Sequence, residues 1–288
     1  MGKQSEYEIR VLERGEVEHA VAWAAREGWN PGLADADAFA AVDPGGFFGG
    51  FLGGELVAVI SAIRYDAGYG FVGFYIVDPD HRGQGLGLRL WNAALAHLDG
   101  VRTVGLDGVV DQQDNYRASG FVLAHRNGRY AGHAPFALAP ASESGTIRDA
   151  EGVSFDDLVA YDAAHFGTPR PGFVHDWITL PGHRARVAVD ADAVRGFGVL
   201  RPCGEGLKVG PLFAEDAGAA RALLADLVAE VPDSETVFLD PPTTNPEALA
   251  LVAELGMDPV FETARMYRGP ALDLPIGEVF GISTFELG

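Results

Sequence analysis

Six consecutive residues, Arg82-Gly83-Gln84-Gly85-Leu86-Gly87, stand where an apolar strand-like pattern gives way to a helical one. Backbone N–H groups at the start of a helix have no carbonyl one turn back, the macrodipole adds partial positive charge, and glycines let a ligand approach the main chain. Arg82 adds a charged donor. Such a loop can hold a pyrophosphate. The same glycines would also serve a tight turn under a helix, so the flanking elements must decide. His81 adjoins the loop and is placed to face solvent or phosphate. Cys203 is the single cysteine. It has no recognisable His partner for nucleophilic catalysis and reads as an ordinary buried thiol; alone it forms no intrachain disulfide and no multi-cysteine metal site, and no metal is expected.

Before the loop, residues 45–79 read as short strands rich in aromatic and β-branched residues and separated by glycines, an antiparallel meander. After it, a helix is expected with Leu88, Trp91, Leu95 and Leu98 on its apolar face, then a strand over 101–110. A dinucleotide-binding unit would need a parallel βαβ and a third glycine where Leu88 stands, whereas the preceding strands read as an antiparallel meander. Upstream, Val17, Ala20, Val21 and Ala24 fall on one face of a helix over 16–27 that ends at Gly28. Asn30-Pro31-Gly32 reads as a turn, and a second helical stretch begins near Ala34. A loop carrying Trp29 thus lies between two helices.

Residues 134–146 concentrate Pro, Ala and Ser and look like a connection between domains, after which the grammar partly repeats. Strands over 194–202 and 207–216, a helix over 217–231, a strand over 236–242 and a helix over 245–257 echo the first half and suggest a diverged duplication. The expected division is residues 1–138, a linker at 139–146, and residues 147–288.

Arg82, Gly85 and Gly87, together with Asn115-Tyr116-Arg117-Ala118-Ser119-Gly120-Phe121, resemble the pyrophosphate motif and the Tyr-x-x-x-Gly-Phe ending of the GNAT N-acetyltransferases. The string GLDGVVDQQDNYRASGF, with FETARMYRGP and VFGISTFELG in the second half, resembles the YitH/HolE-type branch, in which a GNAT domain carries a second GNAT-like domain. The resemblance implies an α/β (α+β) fold: tandem GNAT-like domains, each a mixed, mostly antiparallel sheet flanked by helices. It also implies acetyl-CoA as donor, with Ile76 and Val77 on a splayed strand receiving the pantetheine arm and Arg82, Gly83, Gln84, Gly85, Leu86, Gly87 and Leu88 the pyrophosphate.

The family's Asn seven residues before the Tyr is Val109 in this chain. Gln113 or Asn115 could replace that contact, and either could instead be a solvated or capping residue. The resemblance implies direct attack by an amine in a ternary complex, with Tyr116 as general acid to the leaving thiolate; a core or rim aromatic with a satisfied hydroxyl is the alternative for Tyr116. Asp107 is the candidate base, with a structural aspartate as the alternative. Trp29, Asn30 and Asp35 occupy the region that covers substrates in the family this chain resembles, where an aromatic and an acid suit an ammonium group; a capping Asn30 and a packed Trp29 are the alternative. In the second half, Val252 stands where the first has Tyr116, and Glu215 and Asp216 would repel a pyrophosphate. That half is expected to be non-catalytic and to shape the acceptor pocket, with Glu262, Arg265 and Tyr267 as lining candidates or, equally, as a structural ion pair and a core aromatic.

A formal charge of −20 argues against sequence-independent nucleic-acid binding. The N-terminal residues lack the apolar core of a signal peptide, and no run of about 18 apolar residues could span a membrane. The expectation is a cytoplasmic protein, monomer or homodimer, acting on a small amine acceptor, with a protein or peptide acceptor and a non-catalytic acyl-CoA sensor as alternatives.

Overall fold

The computed structural model describes residues 6–138 and 145–288; residues 139–144 of the expected linker lie outside them. The first half runs β1 (Tyr7–Val11), α1 (Val17–Arg26), α2 (Asp35–Val42), β2 (Phe47–Leu52), β3 (Glu55–Arg64), β4 (Tyr69–Val77), α3 (Leu86–His97), β5 (Thr103–Val109), α4 (Gln113–Ala118) and β6 (Val122–His133). The second half repeats that order: β7 (Thr146–Asp149), α5 (Phe155–Phe166), α6 (Pro171–Thr179), β8 (Arg184–Asp190), β9 (Ala193–Pro202), β10 (Leu207–Ala214), α7 (Ala217–Val228), β11 (Thr236–Leu239), α8 (Pro246–Glu254) and β12 (Asp258–Arg268). A last strand, β13 (Val279–Gly281), has no counterpart in the first half. The meander over residues 45–79 is β2 to β4, antiparallel throughout.

Position by position, α3 departs from the expected face. Leu86, Leu90, Trp91 and Ala94 are buried, whereas Leu88 is 62% exposed. The helix begins at Leu86, and Leu88 lies roughly 200° around it from both Leu86 and Leu90.

All strands join one sheet in the order β1-β2-β3-β4-β5-β12-β6-β11-β10-β9-β8-β7, with β13 paired to β10. The last strand of each half is therefore exchanged. β12 from the second half pairs with β5 of the first, β6 from the first pairs with β11 of the second, and β6 and β12 pair with each other. Two buried ion pairs lock the exchange. Arg265 on β12 donates two hydrogen bonds to Asp107 on β5, at 2.8 and 2.6 Å. Arg129 on β6 does the same to Asp240, just past β11, at 2.8 and 2.7 Å. Counting from Phe121 and from Met257, Arg129 and Arg265 hold the same place in the repeat, as do Asp107 and Asp240 at the ends of Leu106 and Leu239. The helices share one core across the halves: the Phe39 ring lies 5.8 Å from Phe74 and 6.0 Å from Trp177.

Each half has a point where its two central parallel strands part. The β4–β5 pairing ends at Val72↔Leu106, although β4 continues to Val77. An extra residue on β4 opposite Val59–Ser61 forms a bulge, with Phe74 at φ 49°, and bends the strand away. The β10–β11 pairing ends at Val209↔Leu239, but there the gap is filled: β13 pairs with β10, and the Ile282 amide donates to the Asp240 carbonyl at 3.0 Å. Residues 279–287, all buried, then run on to the first gap. At the second gap a Cβ on Gly210 would stand 2.6 Å from the Ile282 carbonyl, and at the first gap a Cβ on Gly73 would collide with the Glu286 carbonyl.

Breaking one crossed pair strands a buried charge, so Arg129→Ala is expected to cost about 3–5 kcal/mol of unfolding free energy. Pairing Arg129→Met with Asp240→Leu should recover most of that loss, and urea denaturation of the three proteins checks both.

Candidate active site

The gap between β4 and β5 opens into a cavity of about 460 Å³ that extends to the glycine-rich start of α3. Gly83 and Gly85 adopt left-handed φ angles of 75° and 77°, and neither has an atom within 4 Å of where a Cβ would sit. The concavity in front of the first helical turn is thus open, and the amides of Leu86, Gly87 and Leu88 face it without intrahelical partners. Gly87 is small for a different reason: a Cβ there would stand 2.7 Å from the Tyr75 hydroxyl and 2.8 Å from Val77, so the glycine lets α3 close onto β4. Arg82 fixes the loop, its Nε donating to the Val77 carbonyl at 2.8 Å and a terminal nitrogen to Glu27 at 2.7 Å. Past Val72 the β5-facing edge of β4 has no strand partner, so the main chain of residues 74–77 is free to pair with a linear amide-bearing chain. These features fit a pyrophosphate followed by a pantetheine-like arm.

Tyr116 is set on the opposite wall by a stack of rings, with Trp91 5.3 Å from Tyr75 and 5.6 Å from Tyr116. Gly108 makes room, since a Cβ there would strike the Tyr116 ring. Burial, with the Tyr75 hydroxyl alongside, raises the Tyr116 phenol above its ordinary value, so it stays protonated at neutral pH.

Of the residues expected at the site, Ile76, Val77, Arg82, Gly83, Gly85, Leu86, Gly87, Leu88, Tyr116, Asp107 and Trp29 line the cavity, whereas Gln84, Gln113, Asn115, Asn30 and Asp35 do not. Gln84 is exposed, its side chain donating at 3.3 Å to the Asp80 carbonyl. Asn115 is tied to Gln112, the residue of that turn that does line the cavity, and the Gln113 carbonyl accepts from Arg117. Asn30 holds the main chain of Glu205, and Asp35 is fully buried against Arg201 at 3.1 Å. Both therefore join the halves rather than meet an acceptor.

Asp107 reaches the cavity wall, but one of its oxygens accepts from Arg265 and the other from both Arg265 and the Asn127 amide. Burial pushes its carboxyl up while Arg265 and Asn127 draw it back down. Asp240 makes the equivalent pair in the half whose gap is filled, so the interaction needs no active site and gives Asp107 its structural reading. From β12 the cavity receives Phe261 and Thr263, in place of Glu262, Arg265 and Tyr267. Glu262 is paired with Arg126 and Tyr267 is packed with Tyr69 and Phe71.

Sequence reasoning missed Phe285 and Glu286, which also line the cavity. The available signal was a single carboxylate, Glu286, in the otherwise uncharged run Val279–Leu287. Among the described residues no cluster of three or more His, Cys, Asp or Glu side chains is placed to hold a metal, and no helix is long and apolar enough to cross a membrane. In the second half, Asp216 caps α7 by accepting from the Ala219 amide at 2.9 Å, which puts a carboxylate where the first half has its open loop.

Residues 15–121 match the model of the acetyltransferase (GNAT) family, and residues 158–281 match a second acetyltransferase (GNAT) domain model. The chain belongs to the GNAT acetyltransferase family, as a tandem of two such domains, and is an N-acetyltransferase. It is 34% identical to the holothin acyltransferase of Pseudoalteromonas sp. (strain SANK 73390) over 92% of this chain and 89% of that one. To the uncharacterized N-acetyltransferase YitH of Bacillus subtilis (strain 168) it is 24% identical, over 77% of this chain and 78% of that one. A solved Pyrococcus horikoshii protein, provisionally described as an acetyltransferase, shares the fold with a TM-score of 0.81 at 20% identity, over 98% of this chain and 96% of that one.

Gly85→Glu would impose a strained φ and set a carboxylate before the amides of α3. Affinity for a pyrophosphate-bearing donor, read by calorimetry, should fall by at least about two orders of magnitude, since each like-charge contact at an anion site is strongly unfavourable.

Proposed function

We propose that the protein transfers acetyl from acetyl-CoA to the primary amine of a small molecule, by direct attack within a ternary complex. The observation that carries this reading is the contrast between the two gaps: the first is open, leads to an uncapped helix start and has Tyr116 on its wall, whereas the second is filled by β13 and capped by Asp216. When bound, the thioester supplies an activated carbonyl and a thiolate leaving group. The amides of residues 83 to 88 hold the donor's pyrophosphate, with Arg82 steadying the loop. The free edge of residues 74–77 orients its arm, and Ile76 and Val77 contribute from that strand. Tyr116 gives its hydroxyl proton to the departing sulfur, a role open to a phenol held protonated by burial.

A small acceptor is favoured over a protein or peptide because the acceptor end is walled by Trp29 from the first half and by Phe261, Phe285 and Glu286 from the second. The holothin acyltransferase at 34% identity supports acyl transfer to a small compound. The second half acts as the wall of the first site and carries no separate transfer centre.

Calorimetric titration with acetyl-CoA, followed by thiol-release assays against panels of amines and peptides, tests the reading. Donor binding with turnover of small amines is expected; binding without any turnover would leave a sensor, and no binding would end the proposal. Tyr116→Phe should lower kcat by about 100-fold or more while leaving donor affinity intact, as loss of a general acid does. Unchanged turnover would remove Tyr116 from the chemistry.

A further inference from the structure

Three carboxylates line the cavity: Glu27, Asp107 and Glu286. Glu27 is taken by Arg82, and Asp107 by Arg265 and Asn127. Glu286 differs from both. It is 1% exposed, and neither of its side-chain oxygens has a hydrogen-bond partner. A buried carboxylate left uncapped is costly, and native structures rarely keep one unless something supplies the missing donor.

The charged groups packed around Glu286 do not supply it. They are Lys208 on β10, Arg129 on β6, Arg201 on β9 and Asp35 on α2. The Lys208 ammonium donates to the Asn30 carbonyl at 2.7 Å, Arg129 is committed to Asp240, and Arg201 to Asp35. Burial pushes the Glu286 carboxyl above its ordinary value, and Lys208 and Arg129 only partly offset this. A carboxylate so raised is better matched to taking a proton near neutral pH.

The main chain that carries this side chain is fixed. Its own carbonyl lies against Gly73, where any larger residue would collide. The next residue is fixed by the Leu287 amide donating to the Thr284 hydroxyl at 2.9 Å and by the Tyr65 hydroxyl donating to the Leu287 carbonyl at 2.8 Å. The surrounding wall is aromatic: Phe285 meets Phe261 at 5.9 Å, and Trp29 lines the same cavity.

We propose that Glu286 is the catalytic residue at the acceptor end of the cavity: its side-chain oxygens, themselves closed to solvent, turn to the entering acceptor, bind its ammonium group and take its proton, and Trp29, Phe261 and Phe285 select an amine carried on a compact apolar or aromatic body. The proposal rests on the acyl-transfer reading of the same cavity. The ammonium passes one proton to Glu286 and exposes its lone pair. The N–C bond forms and the C–S bond breaks, its electron pair going to sulfur, which takes the Tyr116 proton. The surplus proton on the new amide nitrogen returns to Tyr116, and Glu286 releases its own to solvent.

The test compares the unmodified protein with Glu286→Gln, which keeps shape and removes charge, and with Glu286→Asp, which keeps charge and shortens the reach. Donor affinity, kcat and KM for apolar and aromatic primary amines, and the pH profile of kcat/KM are measured for each. Glu286→Gln is expected to lower kcat/KM by about 100-fold or more, the usual worth of a general base, with donor affinity unchanged. It should also replace the acidic limb set by the carboxylate with one set by the amine's own ionisation, so that the residual rate climbs with pH as free amine accumulates. Glu286→Asp should keep the acidic limb, with a lower kcat and a higher acceptor KM. A wild-type rate and profile in the Gln variant, or unchanged kcat and KM in the Asp variant, overturns the role of Glu286 while leaving acyl transfer standing. Failure of the unmodified protein to bind donor or turn over any amine overturns the acyl-transfer reading, and this role with it.

Discussion

The fold depends on a reciprocal constraint: each half completes its sheet with the other's last strand, and each exchanged strand brings an arginine to an aspartate of the other half. Arg265 meets Asp107 and Arg129 meets Asp240, both as buried two-point contacts. Desolvating four charges is expensive, and only the fork geometry of guanidinium on carboxylate, backed by further hydrogen bonds, compensates for it. The apolar core follows the same logic, with Phe39, Phe74 and Trp177 drawn from both halves into one cluster.

On this symmetric frame the closing segment imposes an asymmetry. Symmetry-related gaps lie beside Gly73 and Gly210, and residues 279–287 fill the gap at Gly210 and wall the gap at Gly73. The same stretch of chain therefore accounts for why one half keeps an open cleft and the other does not. The local differences agree with it: open glycines before α3 in one half, the Asp216 cap before α7 in the other, and Tyr116 in one against the core residue Val252 in the other.

Much of this was legible from local pattern. The meander, α3, β5 and the echo of these elements in the second half follow from periodicity, and the glycine loop and Tyr116 follow from motif and context. What was not legible depends on pairing between distant strands. Nothing in the text around Asp107 shows that its partner is Arg265, so a strand-end aspartate beside the gap read as a base. Asp35 read as an acceptor contact because its partner Arg201 lies far along the chain, and Asn30 likewise because it holds Glu205. Spacing alone puts Leu88 in the core, whereas a helix beginning at Leu86 turns it outward. Glu286 was visible as a lone acid in an apolar run, but its position against Gly73 needs the path of the whole closing segment.

The exchanged strands also set an order on synthesis. β5 and α3 are complete early in translation, yet β5 presents an open edge until β12 has emerged, nearly the whole second half later. An uncovered edge strand is a template for pairing with other chains. The cavity beside β4 is thus encoded first and finished last, once Phe261, Thr263, Phe285 and Glu286 are in place.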